Sequence, residues 1–382
     1  MRRFTNLIIV SGFLLTISVF TLLCTPGCAK KPQEPNEIKI GAILPLTGDG
    51  AKYGQSAKKG IDLALKEINT AGGIHNKKLK IIYEDSILDP KQGVNAANKL
   101  ITVNKVPVII GAMASSVTLA IAPIAEKSHT ILLSPASSAP DITKAGDYIF
   151  RNTYSDIYEG PVMARYAYEK LGFRQIAILH INNDFGVGLS KAFQQSFVQL
   201  GGKIVDLESY ENSSDFRSQL NKVKQSNPDS IYLVGYSEMG LVIRQAKEMA
   251  LNNQILSCIM FEDPKILEVA GDAAEGVIYT YPTYNPNSNQ QDVVNFVQIF
   301  RQKYNEEPDI YAASSYDSLK ILAYAMNKGG LEAASIKQTL YSIKDFPGVT
   351  GSTTFDNNGD VTKPIGIKQV QNGKFTWLET KF

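Results

Sequence analysis

Residues 108–138, VIIGAMASSVTLAIAPIAEKSHTILLSPASS, constrain the fold of this chain more than any other segment. Two short apolar runs, residues 108–110 and 130–133, are joined by a stretch whose apolar residues recur at helical spacing. This order predicts two parallel strands with their carboxyl ends at one edge of a sheet. Ser115 follows the first run and residues 134–138 follow the second. We therefore expect this edge to bind a small anionic or zwitterionic group.

Strand and helix patterns alternate along most of the chain, in two series with the same order and similar spacing. The predicted strands are residues 38–44, 79–83, 108–110, 130–133 and 148–151, then 176–179, 203–207, 231–234 and 255–260. Alternation of this kind predicts an α/β fold with two Rossmann-like lobes, each a parallel sheet with helices on both faces.

The C-terminal part of the chain departs from this alternation. Helical patterns come first and strand patterns follow. The predicted helices are residues 289–304, 311–328 and 331–343, and the predicted strands are residues 349–355, 365–370 and 375–378.

The N-terminus has the features of an export signal. Arg2 and Arg3 precede an apolar segment, residues 7–23, which is followed by small residues. A basic start, a short apolar core and a small-residue exit are typical of a signal peptide that is removed, and not of a spanning helix.

The step from Gly27 to Cys28 resembles a bacterial lipoprotein cleavage site. We predict a signal peptide at residues 1–27, a lipidated Cys28 and a tether at residues 28–36, so that the protein is extracytoplasmic and anchored to a membrane. Thr25 stands where an aliphatic residue is usual. A plain secretory signal without a lipid, or a cut before Cys24, is the alternative.

Charge and cysteine content exclude several classes of protein. The chain has 39 basic and 37 acidic residues, and the two numbers become equal once Arg2 and Arg3 are removed with the signal. A neutral chain without Lys/Arg blocks is not expected to bind nucleic acid. Cys258 is the one cysteine in the body of the mature chain, so an intrachain disulfide is not expected there.

Enzyme signatures occur only in incomplete form. His75, His129 and His180 are scattered without metal-ligand spacing, and no phosphate-binding loop is present. No histidine follows Ser237 that could act as its base. We predict a protein that is not an enzyme and needs no metal or cofactor. A secreted serine hydrolase using Ser115 or Ser237 is the rival hypothesis.

A zwitterion needs hydrogen-bond donors for its carboxylate and acceptors for its ammonium group. Ser115 and Ser138, with the N–H groups beside them, can supply donors, and Ser137 is predicted as a further ligand contact. The Ala136 carbonyl and an acid can supply acceptors. Glu262 follows a strand of the second series, where its carboxylate could close over an ammonium group.

Four aromatic residues follow predicted strands and do not lie on helical stripes. They are Tyr53, Tyr154, Phe185 and Tyr236. Aromatic side chains in such positions more often form the wall of a cleft than fill a core. We predict that all four line the ligand site.

Several motifs occur together in one order. They include IKIGAILPLTGDGAKYGQ at residues 38–55, SPASSAPDIT at 134–143, FRNTYSDIYEG at 150–160 and AGDAAEGV at 270–277. On these motifs the chain resembles the periplasmic leucine/isoleucine/valine-binding proteins, the substrate-binding components of branched-chain amino acid ABC transporters. The resemblance covers essentially all of the mature chain and implies the type I periplasmic binding protein fold.

The resemblance implies roles for individual residues. Ser115 matches the serine that binds the ligand carboxylate, and Ala136 and Ser138 match a pair of contacts in which the family has Thr at the second position. Glu262 is the nearest match to the acid that binds the ammonium group. The loop is shorter here, so Asp263 could take that place.

Aromatic positions of the family's cleft also have counterparts. Tyr53 and Tyr236 match its cleft tyrosines, and Phe185 stands where a tyrosine is common. These matches favour an α-amino acid ligand and leave its side chain open.

The resemblance further implies that the chain crosses between lobes three times, near Thr153, Tyr281 and Gly348, through a three-stranded hinge. The implied N-terminal lobe comprises residues 37–153 and 282–348, and the C-terminal lobe comprises residues 154–281 and 349–382.

The function implied is capture of a small amino acid, branched-chain or related, between the two lobes and its delivery to the permease of an ABC transporter. A second hypothesis keeps the fold and changes the ligand to an amide, urea or small carboxylate.

Overall fold

The computed structural model describes residues 37–211 and 213–382. The predicted signal peptide, the tether and Cys28 lie outside the described residues. The described chain forms two β-sheets covered by helices.

The first sheet contains five parallel strands, and three helices follow its first three strands. The elements are β1 (Glu37–Leu44), α1 (Ala51–Thr70), β2 (Lys78–Asp85), α2 (Pro90–Asn98), β3 (Val108–Gly111), α3 (Ser115–Lys127), β4 (Ile131–Ser134) and β5 (Ile149–Arg151). Their order in the sheet is β2-β1-β3-β4-β5. Every residue of β3 and β4 is buried, as expected for parallel strands with helices on both faces.

The second sheet contains seven strands. The elements are α4 (Asp156–Arg165), β6 (Gln175–Ile181), α5 (Asp184–Gln199), β7 (Lys203–Tyr210), α6 (Arg217–Ser226), β8 (Ser230–Val234), α7 (Met239–Glu248), β9 (Gln254–Ser257), α8 (Pro264–Ala270) and β10 (Ile278–Pro282), with β11 (Ile365–Gln371) and β12 (Lys374–Glu379) from the chain end. The order is β12-β11-β10-β9-β8-β6-β7. Strands β6 to β10 are parallel, and β11 and β12 add an antiparallel edge.

Three further helices, α9 (Gln291–Tyr304), α10 (Ile310–Gly329) and α11 (Ala333–Ser342), lie between β10 and β11 in the chain. Helix α10 packs closely on α1, because a Cβ at Gly60 would lie 2.0 Å from the Ala312 carbonyl oxygen. Phe296 of α9 contacts Tyr316 of α10 with ring centroids 4.8 Å apart. These helices therefore belong with the first sheet.

We call β1–β5 with α1–α3 and α9–α11 the first lobe, and β6–β12 with α4–α8 the second lobe. The chain passes between them three times: from β5 to α4, from β10 to α9 and from α11 to β11. These passages lie near the crossings implied by the resemblance. The exact lobe boundaries stay a prediction.

The predicted start of α2 agrees in detail with the structure. The Asp89 side chain accepts a hydrogen bond of 2.8 Å from the Gln92 N–H, and Pro90 occupies the first turn. A carboxylate that caps the free N–H groups of a helix stabilises its start, and proline is favoured there because it lacks an N–H.

Two strand predictions are wrong. Residues 349–355 form isolated bridges, Phe346 with Thr353 and Phe355 with Val361, and not a strand. Gly351 has a φ of +91°, which turns the chain. Strand β9 ends at Ser257, because residues 259–261 form a short 3-10 helix in place of the predicted continuation.

Two elements near the cleft were not predicted from the sequence. Helix α4 begins where the Ser155 hydroxyl accepts from the Ile157 N–H, and it contains Pro161. Strand β10 covers the crossing that the resemblance implies near Tyr281, and all five of its residues are buried.

None of the helices among the described residues combines the length and apolar character needed to cross a bilayer. Within the same residues, His, Cys, Asp and Glu side chains form no group of three suited to a metal ion.

Candidate ligand-binding site

A cavity of about 60 Å³ lies between the two lobes. It has room for about four waters. Seven of the residues predicted for the site line it: Tyr53, Ser115, Ala136, Ser138, Tyr154, Phe185 and Tyr236. Their elements come from both lobes, so the cavity exists only when the lobes are together.

The serine edge is held by hydrogen bonds between the loops after β3 and β4. The Ser115 hydroxyl accepts from the Ala139 N–H at 3.1 Å, and the Ser134 hydroxyl donates to the Ala112 carbonyl at 2.7 Å. Ser115 is also the first residue of α3, where backbone N–H groups have no partner within the helix. This edge is therefore suited to a carboxylate.

Ser137 does not line the cavity. Its hydroxyl donates to the Ala112 carbonyl at 3.1 Å and is 2.8 Å from the Thr118 hydroxyl. Its side chain joins the two loops beneath the cavity surface. The predicted role of Ser137 as a ligand contact does not agree with this geometry, because its hydroxyl is already engaged inside the lobe.

Arg151 is a support for the site that sequence reasoning missed. The guanidinium is fully buried, donates to the Ser138 and Ala139 carbonyls at 3.0 and 2.9 Å, and pairs with Asp360 at 2.6 and 2.8 Å. The arginine thereby fixes the backbone that carries Ser138. A charged residue at the end of an otherwise apolar strand, YIFR, was the available signal.

Aromatic side chains from both lobes also line the cavity. The Tyr53 and Tyr311 rings meet edge-on with centroids 5.1 Å apart, and the Phe185 and Tyr236 rings stack at 5.6 Å. The Tyr311 hydroxyl also lies 3.0 Å from Met260 Sδ in the second lobe. Sequence reasoning missed Tyr311 and Met260, which lie inside elements with an ordinary core pattern.

The end of the cavity near the three passages is polar and includes a buried cation. Lys363 Nζ donates to the Thr350 and Thr353 hydroxyls at 3.1 and 2.8 Å, and more weakly to the Gly351 carbonyl at 3.4 Å. Burial lowers the pKa of Lys363 to about 8, and the Asp317 carboxylate opposes the shift. All three of its donors are therefore used within the protein.

Two buried acids, Asp156 and Glu159, lie in the first turn of α4 next to the cavity. Burial raises the pKa of Asp156 well above its usual range, and the Glu159 carboxylate adds to the rise. Burial likewise raises the pKa of Glu159 to about 7, against hydrogen bonds from Thr280 and from the Ile259 N–H. Sequence reasoning missed both acids.

Comparison with known proteins identifies the family. Residues 37–374 match a family model described as periplasmic binding protein. The chain belongs to the periplasmic binding protein family. The predicted fold, two lobes with mainly parallel sheets of the type I class, is confirmed by this match and by solved structures of the same fold.

Relatives of this periplasmic binding protein have names that refer to amino acids. A leucine-, isoleucine-, valine-, threonine- and alanine-binding protein of Pseudomonas aeruginosa is 29% identical over 348 residues, covering 90% of this chain and 92% of its own. The solved leucine binding protein LivK of Thermotoga maritima is 30% identical, with a TM-score of 0.83, covering 89% and 97%. LivJ of Streptococcus pneumoniae, solved with isoleucine, is 31% identical, with a TM-score of 0.82 and the same coverage.

Glu262 lies outside the cavity of this binding protein. Its carboxylate accepts from the Tyr279 hydroxyl at 2.6 Å and pairs with Lys368. It lines a separate cavity of about 750 Å³. The predicted contact of Glu262 with an ammonium group is therefore not supported, because Glu262 does not line the cavity between the lobes and its carboxylate is already bound by Tyr279 and Lys368.

Asp263, the alternative acid, connects the two lobes. It accepts from the Tyr53 hydroxyl at 3.1 Å and pairs with Lys52, both on α1 of the first lobe. It also caps α8 by accepting from the Lys265 N–H at 2.9 Å. The side chain is almost fully buried, and these contacts occupy both of its oxygens.

Proposed function

We propose that the protein is an extracytoplasmic solute-binding lipoprotein that captures a small amino acid, branched-chain or related, between its lobes and delivers it to an ABC transporter. The observation that carries this proposal is the cavity itself, which joins the serine edge of the first lobe to aromatic side chains of the second. The names of its relatives, which refer to leucine, isoleucine and valine, support the same ligand class.

The cavity has a polar side and an apolar side, as an aliphatic amino acid requires. Ser115 and Ser138, with the N–H groups around them, face the carboxylate in this proposal. The Ala136 carbonyl faces the ammonium group. Tyr53 and Tyr236, together with other aromatic rings, surround the aliphatic side chain. The protein acts as a binding protein and not as an enzyme.

Calorimetry against the twenty amino acids tests the proposal. We expect binding of leucine, isoleucine or valine, and about a tenfold loss of affinity for Ser115→Ala because a charge-assisted hydrogen bond is removed. Ser116→Ala is the matched control, since Ser116 does not line the cavity. Absence of binding to every amino acid would refute the proposed ligand class.

Glu262→Gln provides a second measurement on the same site. The Glu262 carboxylate is engaged by Lys368 and Tyr279 outside the cavity, so we expect its affinity for leucine to stay within about twofold of wild type. A loss of tenfold or more, measured by calorimetry, would restore Glu262 as a ligand contact and contradict the geometry described above.

The position of Glu262 favours one alternative ligand class: an amide, urea or small carboxylate, none of which needs an acid. The same calorimetric series with acetamide, urea and 4-methylpentanoate separates the two. A serine hydrolase is not proposed, because none of the three histidines is among the residues that line the cavity.

Attachment to a membrane through Cys28 belongs to this proposal, as does the permease partner. The basic start, the apolar segment and the Gly27–Cys28 step support the anchor. Membrane fractionation of wild type and Cys28→Ser tests it, since the variant is expected to leave the membrane fraction.

A further inference from the structure

The loop after β9 presents apolar side chains to the cavity between the lobes and holds its acids elsewhere. Ile259 and Met260 of this loop line the cavity. Glu262 and Asp263 follow directly, do not line it, and are bound by lysines of β11 and α1. Over this stretch the second lobe therefore meets the ligand with apolar atoms and without a carboxylate.

The two buried acids of α4 do not reach the cavity either. Asp156 and Glu159 are not among the residues that line it, and they lie against the hydroxyls of Ser138 and Tyr154. Burial raises the pKa of both acids, which disfavours their charged forms. An ammonium group in the cavity would therefore contact neutral acceptors, such as the Ala136 carbonyl.

The charged side chain that does line the cavity is a cation. Among the described residues that form its surface, Lys363 alone has a charged side chain. Its ammonium group donates to the Thr350 and Thr353 hydroxyls, and the Thr350 hydroxyl in turn donates to the Asp317 carboxylate at 2.6 Å, so a neutral group separates the two charges. Burial lowers the pKa of Lys363 to about 8, and the side chain is still mostly protonated at pH 7. The cavity wall therefore carries a positive charge.

An anion and a zwitterion differ in how well they suit a dry cavity of this kind. The carboxylate of either ligand can bind at the serine edge, at Ser115 and Ser138. An ammonium group removed from water needs a charged partner to offset its lost hydration, and here the charge in the wall has the same sign. A carbonyl oxygen in its place carries no such cost. A site rejects an analogue strongly when a buried group built for the missing one is left unpaired, and no carboxylate of the lining would be left unpaired here.

We propose that the cavity binds branched-chain 2-oxo acids as well as amino acids, with Lys363 as the positive charge that favours an anionic ligand. The ligand class consists of molecules with a carboxylate, a carbonyl group next to it and a branched aliphatic chain. This inference rests on the proposed capture of a ligand between the lobes and widens the class of ligand captured. The protein then collects branched-chain amino acids together with the acids that form when their amino group is removed.

Calorimetry on the wild-type protein with leucine and with 4-methyl-2-oxopentanoate tests this inference. The two ligands share the carboxylate and the isobutyl group and differ only in the amine, which is replaced by a carbonyl oxygen. We expect the dissociation constant of the oxo acid to be within about tenfold of that of leucine, or lower, because the lining has no carboxylate that requires the amine.

Each outcome of this comparison decides between the inference and the proposed function. Binding of the oxo acid more than tenfold weaker than that of leucine overturns the inference and leaves the proposed function standing. Binding of the oxo acid without any binding of amino acids supports the inference and refutes the proposed ligand class. Binding of neither ligand class overturns both.

Lys363→Met tests the part assigned to the buried cation. We expect the affinity for 4-methyl-2-oxopentanoate to fall about tenfold and that for leucine to change by less than about threefold, because the oxo acid has a net charge and the zwitterion has none. Lys374→Met, at an exposed lysine, is the matched control and should equal wild type for both ligands. Equal losses for the two ligands in Lys363→Met would overturn the assignment of Lys363.

Met260→Glu tests the inference from the opposite direction and does not depend on the folding of a Lys363 variant. It adds a carboxylate to the apolar stretch of the lining, and we expect the preference for leucine over the oxo acid to rise about tenfold or more. Met260→Gln is the matched control, because it also removes the thioether that contacts Tyr311 but adds no charge, so the ratio of the two affinities should stay near wild type. A ratio that is the same in both variants would contradict the inference.

Discussion

Asp360→Asn is expected to lower the free energy of unfolding by about 3–5 kcal/mol. The substitution leaves the Arg151 guanidinium fully buried without an anionic partner. Breaking a buried ion pair on one side is costly because the remaining charge is neither hydrated nor neutralised. Denaturant unfolding followed by circular dichroism gives the difference.

The matched control for this prediction is Glu169→Gln. Glu169 pairs with Arg165 at 4.0 Å on the protein surface, with both side chains about half exposed. An exposed pair of this kind contributes about 0–1 kcal/mol. If Asp360→Asn were no more destabilising than this control, the buried pair would not support the fold as described.

The same substitution should also weaken ligand binding in the protein that remains folded. Arg151 holds the Ser138 and Ala139 carbonyls, and Ser115 accepts from the Ala139 N–H. When Arg151 loses its partner, the loop that presents Ser138 loses its fixed position. Stability and binding at this edge therefore depend on one buried ion pair.

Sequence patterns predicted the first lobe well, because its site residues come directly after the strands that carry them in the sequence. The parallel strands around residues 108–138 are continuous apolar runs, and the serines follow them directly. The carboxyl ends of neighbouring parallel strands lie at the same edge of the sheet, and this does not depend on the fold of the rest of the chain. Ser115, Ala136 and Ser138 therefore line the cavity where the pattern placed them.

The remaining parts of the site depend on contacts between distant positions. Arg151 and Asp360 are 209 positions apart, and no spacing rule connects them. Glu262 was predicted to follow a strand directly, but a short 3-10 helix precedes it and its carboxylate pairs with Lys368, which is 106 positions away in the chain. Asp156 lies in the motif FRNTYSDIYEG. Only its burial, which the sequence does not reveal, distinguishes it from a solvent-exposed acid at the start of a helix.

Contacts between the lobes determine how readily the cavity opens. On the first lobe, Lys52 and Tyr53 both contact Asp263 of the second lobe, and Tyr311 contacts Met260. A ligand shifts a protein toward its closed state only by contacts that differ between open and closed forms. Contacts that join the lobes directly add to this preference, and their removal should favour the open form.

Asp263→Asn isolates this contribution because asparagine caps a helix as well as aspartate does. The hydrogen bond to Tyr53 and the partly exposed ion pair with Lys52 together contribute about 1–2 kcal/mol to closure. Affinity for the ligand should therefore fall about five- to thirtyfold. Calorimetry measures this loss, and small-angle scattering of the ligand-free protein should show a larger radius of gyration.

Lys52→Gln serves as the partial control for Asp263→Asn, since it removes the ion pair and leaves the Tyr53 hydroxyl bonded to Asp263. Its expected loss of affinity is the smaller of the two, because the Lys52 side chain is 47% exposed and its charge is screened by solvent. Equal affinity in Asp263→Asn and wild type would mean that closure depends on the ligand alone. In that case ligand contacts such as those at the serine edge would have to supply the whole closing free energy, and Ser115→Ala would show a correspondingly larger loss.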